Sequence, residues 1–154
     1  MYELTLTVHN LLRLAVLVFL ALAFLRSFQG MLGSRPWTSG DRQSALLATI
    51  ALDLQLVLGL VLHLGMSPVT QSAFSNFGAA MKDPELRQWA VEHPTLMLVA
   101  IVLAHVGSAL RKRCETDALR HRWTAITLGA ALVLVLVGMP GPGGEHARPF
   151  LRFG

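Results

Sequence analysis

Three histidines, His9, His63 and His93, stand near the ends of three different, very apolar segments of the chain. An ionisable side chain is costly in hydrocarbon, so inside a membrane such residues usually face a bundle interior and mark a functional site. Imidazoles that converge from separate helices at one depth are the ligand set a haem iron or another transition metal requires. At a rise of about 1.5 Å per helical residue, His9 lies ~9 Å in from Glu3, His63 ~5 Å from Met66 and His93 ~6 Å from Trp89. That spacing sets all three near one level. Arg13 follows His9 by one helical turn and shares its face. A guanidinium there needs an anion or a route to water; Glu92, Asp53, a lipid phosphate or a haem propionate would serve.

The elements that must position these groups follow from composition. The chain has 154 residues, of which 53% are hydrophobic and only 14% charged, against roughly 25% charged in soluble domains. A water-soluble fold of this length would lack the polar surface to cover itself. Spanning a bilayer takes about 20 mostly apolar residues, and four segments qualify: about Leu4–Phe28, Ser44–Met66, Trp89–Leu110 and Trp123–Met139, the last being short. They are rich in Leu and Ala and lack the alternation of strands. The expected fold is therefore all-α, a single integral membrane domain built as an up-down-up-down four-helix bundle. Residues 67–88 form its long outer loop and residues 140–154 a C-terminal tail.

Charge sets the expected orientation. One pair of connections carries Arg26, Arg35, Arg42, Arg111, Lys112, Arg113, Arg120 and Arg122, whereas the other face has Lys82, Arg87, Arg148 and Arg152. The basic excess points inward across a membrane, so both termini are expected outside. The net charge of +4 is concentrated in these short loops, a membrane pattern rather than a nucleic-acid surface. Cys114 is the single cysteine, which rules out an intrachain disulfide. The first apolar run lacks a basic lead-in and is of spanning length, so it reads as a span rather than a cleaved signal.

Other polar residues punctuate the spans. Asp53 and His105 reach comparable depth on neighbouring segments, where a pair between them would neutralise an expensive carboxylate. The small residues Gly59 and Gly107-Ser108-Ala109 allow close helix approach or leave room for a flat macrocycle. Pro94, directly after His93, removes the donor that the Ala90 carbonyl would otherwise have and bends the third helix. Asp83-Pro84-Glu85 reads as an N-cap, a first-turn proline and a first-turn acid, starting that helix before the lipid. Phe74, Phe77 and Met81 have the spacing of a short helix lying on the bilayer surface, with a plain loop as the alternative.

At these residues a resemblance enters. His9-Asn10-Leu11-Leu12-Arg13, Gln55-Leu56-Val57-Leu58-Gly59, Glu92-His93-Pro94, Gly107-Ser108-Ala109-Leu110-Arg111-Lys112-Arg113 and Arg148-Pro149-Phe150 together resemble small four-span bacterial membrane proteins labelled cytochrome b-like. The His…Arg helix followed by Gln-x-x-x-Gly and a later histidine is also similar to one half of haem A synthase. The resemblance implies a bacterial inner membrane protein with one haem b near its periplasmic face. His9 and His93 match the axial positions, His63 is an alternative ligand, and Arg13 or Glu92 orients an imidazole or pairs with a propionate. Bis-histidine ligation favours electron transfer over oxygen chemistry, with a quinone or a redox protein as partner and an oligomer compatible with the pattern. Two other readings stay open. His9, His63 and His93 with Glu92 would suit copper or zinc in a metal-binding or transport protein. In a cofactor-free structural or assembly subunit, the polar residues would only join helices.

Overall fold

The computed structural model describes residues 1–139; the tail 140–154, with Arg148, Pro149, Phe150 and Arg152, lies outside the described residues. Four helical runs are long and apolar enough to cross a membrane: Tyr2–Leu32, Ser39–Met66, Pro84–Arg113 and Asp117–Val137.

The first hairpin is built by its loop. Helix α1 (Tyr2–Leu32) ends at Gly33, and Ser34 adopts a left-handed backbone with φ of 48°. Thr38 then opens α2 (Ser39–Val61) with a capping box, its hydroxyl accepting from the Asp41 amide while the Asp41 carboxylate accepts from the Thr38 amide. Asp41 is wholly buried. Its oxygens also accept from Arg26 Nε at 3.1 Å and from Arg35 at 2.8 and 3.0 Å. Arg35 supplies the planar fork that matches a carboxylate, and that hydrogen bonding to Asp41 holds its guanidinium above the usual range. Arg26 and Arg35, read from sequence only as loop charge, thus lock the turn.

Helix α2 does not stop at its α-helical end. It widens into a π turn, Leu62–Met66, which carries His63. Ser67 caps the short helix α3 (Pro68–Ser75), followed by α4 (Phe77–Ala80). The segment between the second and third runs is therefore helical, as Phe74, Phe77 and Met81 suggest, but broken at Asn76. Phe74 and Phe77 stay exposed, while Ala73, Ala80 and Ala90 are its buried contacts.

Asp83 caps α5 (Pro84–Arg87), accepting from the amides of Glu85 and Leu86 at 2.8 and 3.1 Å, which matches the sequence expectation. A second π turn, Gln88–Glu92, leads into α6 (His93–Arg113). It sits where Pro94 cannot donate to the preceding turn. Thr116 caps α7 (Asp117–Val137), so the last helix starts well before Trp123 and is not short: residues that read as loop belong to its first turns.

Helix α1 packs on α2 and α7, and α6 on the same two, so α1 and α6 face one another across the bundle diagonal. Small side chains dominate the centre. Ala23, Ala45, Ala48, Ala100, Ala104 and Ala131 are buried beside Val16, Leu20, Leu52 and Leu128, which lets the backbones approach closely. Gly107 meets Thr127 of α7 so closely that a Cβ would clash with its side chain. Large apolar residues such as Val18, Val57, Val102 and Val133 point outward, the arrangement of a bundle solvated by hydrocarbon.

Candidate functional site

At one end of the bundle α1, α2 and α6 diverge around a cleft that α3 borders. His9, Arg13, Gln55, Gly59, His63, Trp89, His93 and Met97 are among its lining residues, with Asn10, Tyr2 and Thr70 at the polar positions. Its empty space is about 1260 Å³ when the open mouth is included. Three histidines spread over more than eighty positions thus meet in one chamber. No carboxylate lines it among the described residues, and the Arg13 guanidinium is the one permanently charged group among its described lining.

His9 is held by Gln55. The Gln55 amide nitrogen lies 3.1 Å from the His9 main-chain carbonyl and 3.1 Å from the ring Nε2. A carbonyl only accepts, so that amide atom is the NH2 group, and His9 Nε2 must therefore be the acceptor. In the neutral ring this places the proton on Nδ1. Neither His9 Nδ1 nor Gln55 Oε1 has a hydrogen-bond partner, although both are buried. Buried polar groups are rarely left so, and here one donor and one acceptor await an occupant. Gly59, one turn along from Gln55, makes room for the ring: a Cβ there would lie 3.3 Å from His9 Cε1. The Gln-x-x-x-Gly spacing is thus a seat for His9, with glycine admitting the imidazole itself.

His93 is fixed by a different device. Its Nδ1 lies 2.9 Å from the carbonyl oxygen of Gly138, the residue that closes α7. Since the carbonyl only accepts, Nδ1 carries the proton, and the lone pair of a neutral ring falls on Nε2. The bond also satisfies one of the open carbonyls at a helix end. The Trp89 ring stands 5.6 Å away, centroid to centroid.

His63 borders the same chamber, its ring edge-on to Phe74 at 5.5 Å. Its own carbonyl accepts from the Thr70 hydroxyl at 2.8 Å, tying the π turn to α3. π turns frequently mark functional sites, and here the two flank the chamber on α2 and α6.

Glu92 is placed elsewhere. It forms an ion pair with Arg87 at 2.6 Å, with both side chains 41% exposed, and does not line the chamber. Among the described residues, no three His, Cys, Asp or Glu side chains come together as a metal shell. Asp53 and His105 do pair, at 2.9 Å, yet on the outer surface of the bundle. Sequence reading missed the direct Gln55–His9 bond, although the shared helix face of Gln55 and Gly59 carried the signal. It also missed His121 of α7, wholly buried with both ring nitrogens unpartnered, set edge-on to Trp37 at 4.8 Å. No family model, curated protein or solved structure matches this chain.

Proposed function

We propose that this chain is a membrane-bound b-type cytochrome with haem b held between His9 of α1 and His93 of α6, working in electron transfer at the periplasmic side of a bacterial inner membrane. One observation carries the reading. Imidazoles from two diagonally opposed helices border one chamber free of carboxylates among the described residues, and in each the hydrogen-bond partners leave the proton on Nδ1 and the lone pair on Nε2; at His93 an Nδ1–H bond to Gly138 fixes that tautomer, the usual device in histidine ligands. The residues present fit the group. A metal would take the place of the Gln55 amide at His9 Nε2, leaving that amide its second acceptor, the His9 carbonyl. Gly138 would keep the His93 ring oriented, and Arg13 would meet an acidic edge group. The haem would supply reversible one-electron chemistry, while the chain sets its potential and access.

The test is the absorbance spectrum of the detergent-purified protein. A Soret band with sharp reduced α and β bands is expected, lost in His9→Ala and in His93→Ala and kept in His63→Ala. Haem content unchanged in both His9→Ala and His93→Ala would falsify the ligand assignment. Stoichiometric copper or zinc without haem would replace the reading with a metal-binding one, and a colourless, metal-free protein would leave a structural subunit.

A further inference from the structure

Asp53 of α2 and His105 of α6 form their 2.9 Å contact with side chains 45% and 55% exposed, on the outside of the α2–α6 seam. Asp53 stands at the middle of the Ser39–Met66 run, about 21 Å from its start. His105 lies about 9 Å along α6 from Arg111 and about 18 Å from His93. The surrounding surface is apolar: Ile50, Leu54 and Val57 on α2, Val102 and Val106 on α6, all exposed. An acid and an imidazole therefore project from the middle of a surface otherwise suited to lipid tails. Such groups are expensive in hydrocarbon and almost always face a bundle interior, a cavity or a polar partner. Their mutual contact uses one atom of each, Oδ1 and Nε2. With the imidazole protonated opposite the carboxylate, each keeps a second hydrogen-bonding atom, Oδ2 as acceptor and Nδ1–H as donor; a neutral ring that donates through Nε2 would have no second proton to give.

The complement of this surface is the surface itself. Two copies inserted with the same orientation are related by an axis along the membrane normal, so a group at a given depth meets its equivalents at that depth. In a two-fold interface residue i meets j while j meets i. Asp53 and His105 already lie at one depth, as their contact requires, and one is the acceptor that the other's donor needs. We propose that the α2–α6 face is the interface of a parallel homodimer in which Asp53 and His105 of each copy hydrogen-bond His105 and Asp53 of the other. Four polar groups then close on one another and none faces lipid. Polar side chains joining transmembrane helices in this way are a recurrent source of their association.

The test uses the full chain, labelled at Cys114 and reconstituted in vesicles at low protein-to-lipid ratio, with copies counted by single-molecule photobleaching. Wild type is expected to bleach in two steps. Asp53→His gives a chain with two imidazoles and His105→Asp a chain with two carboxylates. Each alone is expected to dimerise about tenfold more weakly, and mixing the two is expected to restore dimers, since complementarity then exists only between copies. Single-step bleaching of wild type, or variants whose pairing is unaltered, overturns the proposal; so does a loss that mixing does not repair. Should either variant fail to fold, disulfide capture in a Cys114→Ser background decides the matter. Val57→Cys and Val102→Cys are expected to cross-link and Val133→Cys on α7 is not; the reverse pattern refutes the interface.

Discussion

A single amide nitrogen of Gln55 serves both the ring and the main chain of His9, at 3.1 Å in each case. Both recipients are acceptors, so only a donor fits at this position. Gln55→Leu is expected to lower stability by about 0.5–1.5 kcal/mol, the net worth of such a bond. Gln55→Glu is expected to cost more, because a carboxylate would face two acceptors. Thermal unfolding in detergent should rank wild type above Gln55→Leu and Gln55→Leu above Gln55→Glu; the opposite order of the two variants would contradict the assigned tautomer.

Gly59 supplies a graded test of the His9 seat. A Cβ at 3.3 Å from the ring requires a shift of a few tenths of an ångström, so Gly59→Ala should fold and keep the His9-dependent spectrum. Gly59→Leu cannot share the space, and overpacking of this kind costs roughly 1–3 kcal/mol. Its expected signature is loss of the reduced α band with the helical circular dichroism intact.

Asp41 carries the stability of the first hairpin. Its removal strips the cap from α2 and leaves the Arg26 and Arg35 guanidinium groups without their carboxylate. Breaking a buried pair costs about 3–5 kcal/mol; since both arginines are about a third exposed, roughly 2–4 kcal/mol is expected for Asp41→Ala. Asp41→Asn retains the cap and should fall between. Denaturant or thermal titrations of the purified variants measure the series.

Gly30 lets α1 lie against the His121 ring, which a Cβ would overlap. Because that ring is wholly enclosed, it has no room to swing away. Gly30→Ala should therefore lose roughly 1–3 kcal/mol. Adding His121→Ala to Gly30→Ala should recover part of the loss. A double-mutant cycle reads this directly, and strictly additive effects would show that the two positions are not in contact.

Glu92 should matter little. Its bond to Arg87 lies in a solvent-accessible setting, where such pairs are worth about 0–1 kcal/mol. Glu92→Gln is expected to melt within that margin of wild type and to bind haem equally. A marked loss of haem in Glu92→Gln would place this carboxylate back at the site.

The bundle was legible in the chain because apolar length is a coarse signal that tertiary packing seldom overrides. The Asp83 cap on Pro84, where the third helical run begins, and the pairing of Asp53 with His105 followed from local cap chemistry and from depth along a helix axis. What escaped was azimuth. Helical periodicity is weak when every face is apolar, so nothing told which way Asp53 would point or that Glu92 would turn towards Arg87. Asp41 was hidden by its own neighbours, a capping acid among loop arginines looking like ordinary solvated charge. The π turn before His93 had a cause in view, the missing donor of Pro94, whereas Leu62–Met66 contains no proline to announce it.

Each of those widened turns amounts to one surplus residue wound into an otherwise regular coil, and one α-helical residue corresponds to about 100° of rotation. The stretch from Ser67 to Arg87, whose Ser67 and Thr70 border the chamber, is bracketed by both. One residue fewer at Gln88–Glu92 would change the rotation between the Pro84–Arg87 turn and α6 by about 100°, so the setting of Trp89 and His93 at the chamber is encoded in residue count as much as in side-chain identity.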